Sequence, residues 1–329
     1  MARVRHGTMR AVTRFRRPAA RAAATVLTGC LLLTGTGTAG TAAAPRPAAT
    51  ATAPDIDVAD VRSHLNDLAA LTEANGGDRA HGGPGYAAAV DHVQALLDEA
   101  GYTTTRQEFT HAGATGWNLI AEWPGSATDE VLMAGAHLDS VPGVLGVNDN
   151  GSGAAVLLEL ALTLAGTGAR PGAGVRFAWW GAEELGMVGS GHYVDGLDDG
   201  ARAAVTGYLN TDMVGSANAG YFVYDDDPAL ATVLTNWFDT RGIATEPAHE
   251  MSGRSDHAPF LAADIPVSGL FTGAGLAMTE EQADRWGGTA GEPFDPCYHR
   301  VCDDTANVSD TALDRTADAL AHAVWELTA

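Results

Sequence analysis

The chain has 329 residues, 46% of them hydrophobic and 18% charged, with 40 Gly and no Lys. That composition excludes a disordered chain or a coiled coil and allows one large domain or two small ones. The formal charge of −22 is uneven, because every charged residue before Asp55 is an Arg, eight in all, leaving 11 Arg against 41 acids in the remainder. A surface so acidic disfavours nucleic acid and anionic membranes and favours cations.

Residues 1–21 hold seven Arg and no acid, an apolar run follows from Ala22 to Thr34, and Ala42-Ala43-Ala44 offers a small-residue cleavage site. This order predicts a secretory signal peptide over residues 1–44. The apolar run is too short to span a bilayer. Leu27-Thr28-Gly29-Cys30 looks like a lipoprotein box, but apolar residues continue past Cys30, which favours a free, extracellular product. Residues 45–54, rich in Pro, Ala and Thr, read as a flexible leader or short propeptide, and residues 55–329 as one folded domain.

Helical apolar spacing runs from Val58 to Ala74 and again from Tyr86 to Glu99, with Gly101 as a stop. Strands are predicted at Asn118–Trp123, Val131–Ala136, Val175–Trp180, Val205–Leu209, Tyr221–Tyr224 and Val267–Phe271. Helices are predicted at Ser152–Leu164, Pro228–Trp237 and Asp310–Leu327. Strands apolar on both faces, alternating with helices, predict an α/β fold: a single globular domain with a central mixed, mostly parallel twisted sheet flanked by helices.

Four segments rich in metal-binding side chains fall at strand ends. Val131–Ala136 leads into His137-Leu138-Asp139-Ser140, and Asn148-Asp149-Asn150-Gly151 opens a helix. Val175–Trp180 leads into Gly181-Ala182-Glu183-Glu184, and Val205–Leu209 into Asn210-Thr211-Asp212-Met213. Open α/β sheets bind ligands beyond the carboxyl ends of their strands. One His with several carboxylates suits Zn²⁺. His137, Asp149, Glu184 and Asp212 give four ligands for a metal pair, with one His still to be found; His257 and His299 both remain open. The Glu183-Glu184 pair suggests that one carboxylate binds metal while its neighbour stays free as a base. Asp139, two residues from His137, suits a carboxylate that orients the imidazole. Each piece alone is ordinary turn or surface chemistry; their coincidence at successive strand ends is not. In an oxidising compartment Cys297 and Cys302, in Cys-Tyr-His-Arg-Val-Cys, are expected to form a disulfide.

The runs AGAHLDSVPGVLGVNDNGSGAA, FAWWGAEELGMVGS, YLNTDMVGS, GRSDHAPF, GLFTGAG and CYHRVC, in that order, resemble the secreted aminopeptidases of the M28 peptidase family from Pro54 to Ala329. The resemblance implies a zinc-exopeptidase fold and two Zn²⁺ per chain. Asp149 would bridge them, with His137 and Asp212 on one ion and Glu184 and His299 on the other, so the fifth ligand falls at His299 rather than His257. It makes Glu183 the general base and Tyr298 the hydrogen-bond donor to the developing oxyanion. Glu183, Asp212 and carbonyls near Arg254 would clamp the free α-ammonium. Met213 and Phe271 would wall an apolar pocket for Leu, Met or Phe. The resemblance also implies one Ca²⁺ held by Asp55, the Ile56 carbonyl, Asp314 and Asp318.

The expected substrates are peptides with a free N-terminus, acted on by a monomer with no nucleic acid or membrane partner. Single-zinc glutaminyl cyclisation and a non-catalytic peptide-binding role are the rival readings. Neither needs the complete set of His137, Asp149, Glu183, Glu184, Asp212 and His299.

Overall fold

The structure, a computed structural model, describes residues 52–123, 129–168 and 171–329, all within one compact unit. The predicted signal peptide, Cys30 and most of the leader lie outside the described residues.

Two helices open the fold. α1 (Val58–Ala74) starts where the Asp57 side chain accepts the Ala59 amide, and it buries Val61, Leu65, Leu68 and Ala69 along one stripe. α2 (Pro84–Glu99) has Pro at its first position, whose missing N–H costs nothing there. A hairpin of β1 (Thr103–His111) and β2 (Ala114–Glu122) follows. Its two-residue turn, Ala112-Gly113, takes positive φ at both positions, the geometry that matches strand twist. β1 was not predicted. It is an edge strand that buries only Phe109, so its Thr, Arg, Gln and Glu residues give no apolar signal.

The centre alternates strands and helices: β3 (Val131–His137), α3 (Gly153–Thr167), β4 (Gly174–Trp180), α4 (Val188–Asp195), α5 (Asp199–Ala204) and β5 (Val205–Thr211). After it come β6 (Phe222–Val223), α6 (Pro228–Asp239), β7 (Glu246–Pro247), α7 (His257–Ala262), β8 (Val267–Phe271), α8 (Glu280–Trp286) and α9 (Asp310–Leu327). The eight strands form one sheet in the order β1-β2-β4-β3-β5-β8-β6-β7. Pairing is parallel across β4-β3-β5-β8 and antiparallel at β1/β2, β2/β4 and β6/β8. The sheet is therefore mixed with a parallel centre, as the sequence predicts.

Both faces are covered. Leu132, Ala134 and Ala136 of β3, with Val175, Phe177 and Trp179 of β4, enter the large core shared with α1, α2, α3, α6 and α9. The alternate residues Val131, Met133, Ala178 and Trp180 pack with Tyr193 of α4 and Phe260 of α7. Tyr208 and Phe260 stack there with ring centroids 4.0 Å apart. Burial on both faces makes the central strands continuous apolar runs. The polar residues that follow them cluster at their carboxyl ends.

Candidate metal centre

β4, β3 and β5 lie side by side and run parallel, so their carboxyl ends open at one edge of the sheet. His137 is the last residue of β3. Glu183 and Glu184 occupy a single turn just after β4, entered through Ala182 at φ 57°. Asp212 directly follows β5, and Asp149 lies in the turn that opens α3. The fifth side chain, His299, comes from the loop closed by the Cys297–Cys302 disulfide, whose Cα atoms are 5.3 Å apart. Five separate segments thus converge.

Their contacts fall into two groups that share one carboxylate. His137 Nε2 stands 3.3 Å from Asp149 Oδ1 and 3.4 Å from Asp212 Oδ1. His299 Nε2 stands 3.0 Å from Asp149 Oδ2 and 3.1 Å from Glu184 Oε2. Donor atoms of His137, Asp149 and Glu184 all lie within 4.8 Å of one another, the one such trio among the described residues. Four bonds of roughly 2.0–2.1 Å in a tetrahedron put ligand atoms about 3.3 Å apart. The observed separations match that edge. Glu183 stands farther off, its Oε2 3.9 Å from His137 Nε2.

The charges are unbalanced. Burial alone would lower the His137 pKa, but Asp212 and Glu183 hold it well above the usual range. Hydrogen bonds to Asp149 and Glu184 push His299 up to about 10. Burial would raise Asp149, yet its bonds to both imidazoles hold it below the ordinary carboxylate range. Burial, then the Asp149 charge, lifts Glu184 to about 7. Glu183 rises well above its usual value, through burial first and then through Asp256, Asp212 and Asp139, against the pull of His137. Glu184 Oε1 and Asp212 Oδ1 are buried without a hydrogen-bond partner. Buried carboxylate oxygens without a partner are costly, and beside imidazole nitrogens they are what a divalent cation satisfies. The donor set fits zinc.

Asp139 holds this arrangement from beneath. Its two carboxylate oxygens accept the amides of Glu183, at 3.1 Å, and Glu184, at 3.3 Å. The His137 Nδ1 lies 3.1 Å from the Asp139 main-chain oxygen and 3.7 Å from its carboxylate. The residue expected to orient the imidazole through its carboxylate does so chiefly through its carbonyl, and spends the carboxylate on the Glu-Glu turn.

A cavity at the centre is lined by Asp149, Glu183, Glu184, Asp212, Met213, Arg254, Tyr298 and His299, together with Glu250, Met251 and Ala274. Met213 reaches it with φ 50°, its amide donating to Asn150 Oδ1. The Tyr298 ring packs on His299 with centroids 4.0 Å apart, and burial followed by Asp149 and Asp212 raises its pKa. Arg254 donates to the Glu250 carbonyl at 3.3 Å. Phe271 does not line this cavity. It is buried in one cluster with Met213 and borders a separate apolar cavity of about 250 Å³ with Phe222, Leu276 and Phe294. His257 packs its ring on Tyr224 at 4.7 Å, away from the two contact groups.

Sequence reasoning missed the residues that hold the ligand loops. Asp303 accepts the amides of Asn148 and Asp149 at 2.8 and 3.0 Å. Asp295 accepts from Asn148 Nδ2, the Cys297 amide and Asn307 Nδ2, tying the disulfide loop to the Asp149 turn. Their only sequence signal is proximity to the two cysteines. At the start of the domain, the Ile56 amide donates to Asp318 Oδ1 of α9 at 2.9 Å. Burial and then Asp55 raise the pKa of Asp314, and Asp55 and Asp314 add to the burial that raises Asp318, so acidic side chains crowd there as well.

Comparison with known proteins agrees with this geometry. Over 274 residues, or 83% of the chain, it is 54% identical to leupeptin-inactivating enzyme 1 of Streptomyces exfoliatus and spans 63% of that relative's length. In fold it is similar to a zinc aminopeptidase from Bacillus subtilis, with TM-score 0.71 and 17% identity over 84% of this chain and 96% of that one. It is also similar to a glutaminyl cyclase from Porphyromonas gingivalis, with TM-score 0.66 and 19% identity over 83% and 99% of the two chains. The same fold thus serves two reactions, and the site has to decide between them. The family model for peptidase family M28 matches residues 118–324, more than half of the chain and every converging segment. The chain belongs to peptidase family M28.

Proposed function

We propose that the chain is a secreted aminopeptidase that hydrolyses the N-terminal peptide bond of peptides and prefers large apolar N-terminal residues such as Leu. The observation that carries this reading is the Asp149 carboxylate, which turns one oxygen to His137 and the other to His299. A carboxylate so placed would be shared by two zinc ions, with His137 and Asp212 completing one site and Glu184 and His299 the other. A zinc pair held there would supply Lewis acidity to the scissile carbonyl and lower the pKa of the attacking water.

The remaining steps belong to this chain's side chains. Glu183, outside the close contacts and with a raised pKa, takes the proton of the water and delivers it to the leaving amine. Tyr298, its pKa raised, stays protonated and donates a hydrogen bond to the developing oxyanion. Glu183 and Asp212 hold the α-ammonium with carbonyls near Arg254, and Met213 meets the first side chain. A blocked N-terminus has no charge for that clamp. Ca²⁺ bound by Asp55, Ile56, Asp314 and Asp318 pins the start of the domain to α9. Residues 1–44 serve as the export signal, and the mature catalytic domain, from residue 55, works as a monomer. No described helix is long and apolar enough to cross a membrane.

The test is Glu183→Gln. The variant should bind zinc like the parent and lose about 10²–10⁴-fold in hydrolysis of leucine p-nitroanilide. Retained turnover would remove Glu183 from the mechanism; loss of zinc would make it a ligand.

A further inference from the structure

Arg79 is the most deeply buried cation among the described residues, fully excluded from solvent in the loop between α1 and α2. A buried guanidinium ordinarily pairs with a carboxylate, since isolated charge in the interior is expensive. Arg79 makes no such pair. Its Nε donates to the Leu138 carbonyl at 2.8 Å, one terminal nitrogen to the Leu145 carbonyl, and the other to the Gly146 carbonyl at 2.9 Å. The first terminal nitrogen also reaches Thr72 Oγ1 at 3.5 Å. Its main chain completes the strap: the Arg79 amide donates to Ser140 Oγ at 2.9 Å, and its carbonyl accepts the Ser140 amide at 3.3 Å.

Every one of these contacts except Thr72 falls on residues 138–146, the connection that leaves His137 and delivers Asp149. The fork grips both ends, Leu138 next to His137 and Gly146 at the start of the Asp149 turn. Gly146 sits at φ 64°, and its carbonyl also accepts the Gly151 amide at 3.0 Å. A side chain there would meet Asp149 O at 2.5 Å and Ser140 Cβ at 2.6 Å, so the turn leaves room for the guanidinium and little else. The unpaired positive charge faces Asp303, Asp139, Asp149 and Glu184. It thus lies beneath the acid-rich site without neutralising any one ligand by direct contact.

We infer that Arg79 is a positioning residue for the metal pair: its three-way grip on main-chain carbonyls sets the distance between His137 and Asp149, and its charge offsets the carboxylates that converge on the site. The inference rests on the metal-pair reading above. A Lys keeps the charge, but its three donors radiate from a single nitrogen on a flexible stem, so it cannot meet three carbonyls that the Arg79 fork reaches with three separate nitrogens. Because the grip acts on ligands and not on substrate, its loss weakens zinc binding and kcat while leaving KM for a small substrate nearly unchanged.

The experiment compares Arg79→Lys, Arg79→Met and Ser140→Ala with the parent, using zinc affinity by competition with a chelating indicator, kcat and KM for leucine p-nitroanilide, and Tm of the metal-free protein. Arg79→Lys should lose about 10–100-fold in zinc affinity, as expected when a group that orients metal ligands is altered. Ser140→Ala, which removes one strap bond and no charge, should lose less in the same direction and keep the protein testable if both Arg79 variants fail to fold. Arg79→Met should fall below Arg79→Lys if the charge contributes as well as the fork. A lowered Tm with parental zinc affinity in Arg79→Lys or Ser140→Ala would reduce Arg79 to a structural strap and overturn the inference. Zinc affinity is read without turnover, so a parent that binds zinc but cleaves no peptide would refute the aminopeptidase reading and leave this test standing.

Discussion

Asp139→Asn is the substitution whose cost the structure lets us work out most fully. The carboxylate accepts the Glu183 and Glu184 amides with one oxygen each, the first bond buried and the second partly buried, beside the proposed metal ligands. Hydrogen bonds to a charged group contribute about 1.5–3 kcal/mol each. Asn has nearly the same shape, but one of its two positions becomes an NH₂ that faces an N–H. One bond is lost and a buried donor is left unsatisfied, a penalty of about 2–3 kcal/mol. For a domain of this size that is a fall of roughly 3–5 °C in Tm. The displaced group is the turn carrying both the proposed base and a proposed ligand, so zinc affinity should also fall about 10–100-fold. Thermal melting of the metal-free protein and a zinc titration measure the two effects separately. An Asp139→Asn protein with parental zinc affinity and turnover would refute the claim that this carboxylate sets the Glu183-Glu184 turn.

Three further outcomes follow from the same geometry. Cys297→Ser with Cys302→Ser opens a six-residue loop, which should cost about 2 kcal/mol in stability and loosen His299, read as lower Tm and weaker zinc binding than the disulfide form. In the metal-free protein His299 is held protonated up to about 10 by Asp149 and Glu184. Zinc must displace that proton, so its affinity should rise with pH from 6 to 9 by about a decade per unit for each proton released, and a flat profile would contradict the pairing. Added Ca²⁺ should raise Tm through Asp55, Asp314 and Asp318, and Asp314→Asn should abolish the rise, with parental and mutant melts in calcium and in chelator as the check.

Most of the architecture is legible in the sequence because the central strands are apolar on both faces and end in polar residues. The bounds of α1, α9 and β8 coincide with their apolar periodicity, and the strand ends at His137, Glu184 and Asp212 mark one rim of the sheet. What escapes the reading is polar or distant. β1 hides because an edge strand needs only Phe109 inside, and α5, α7 and α8 are too short for a helical pattern to accumulate. Arg79 and Asp303 escape because their partners are main-chain groups far along the chain, 155 positions away for the Asn148 amide and Asp303, and Asp295 escapes because its distant partner, 147 positions away, is the Asn148 side-chain amide. Phe271, an apolar residue at a strand end that the resemblance places on the pocket wall, shares a buried cluster with Met213 and lines the neighbouring cavity, a distinction that composition alone does not make.

The central claim, a metal pair that cleaves only from a free N-terminus, is tested most directly by restoring zinc to the chelated protein in measured equivalents. Hydrolysis of leucine p-nitroanilide and of its N-acetylated form is followed at each step. Activity on the free amine should climb until two zinc ions are bound per chain, with the acetylated substrate untouched throughout. Full activity with no metal bound, or equal cleavage of both substrates, would contradict it.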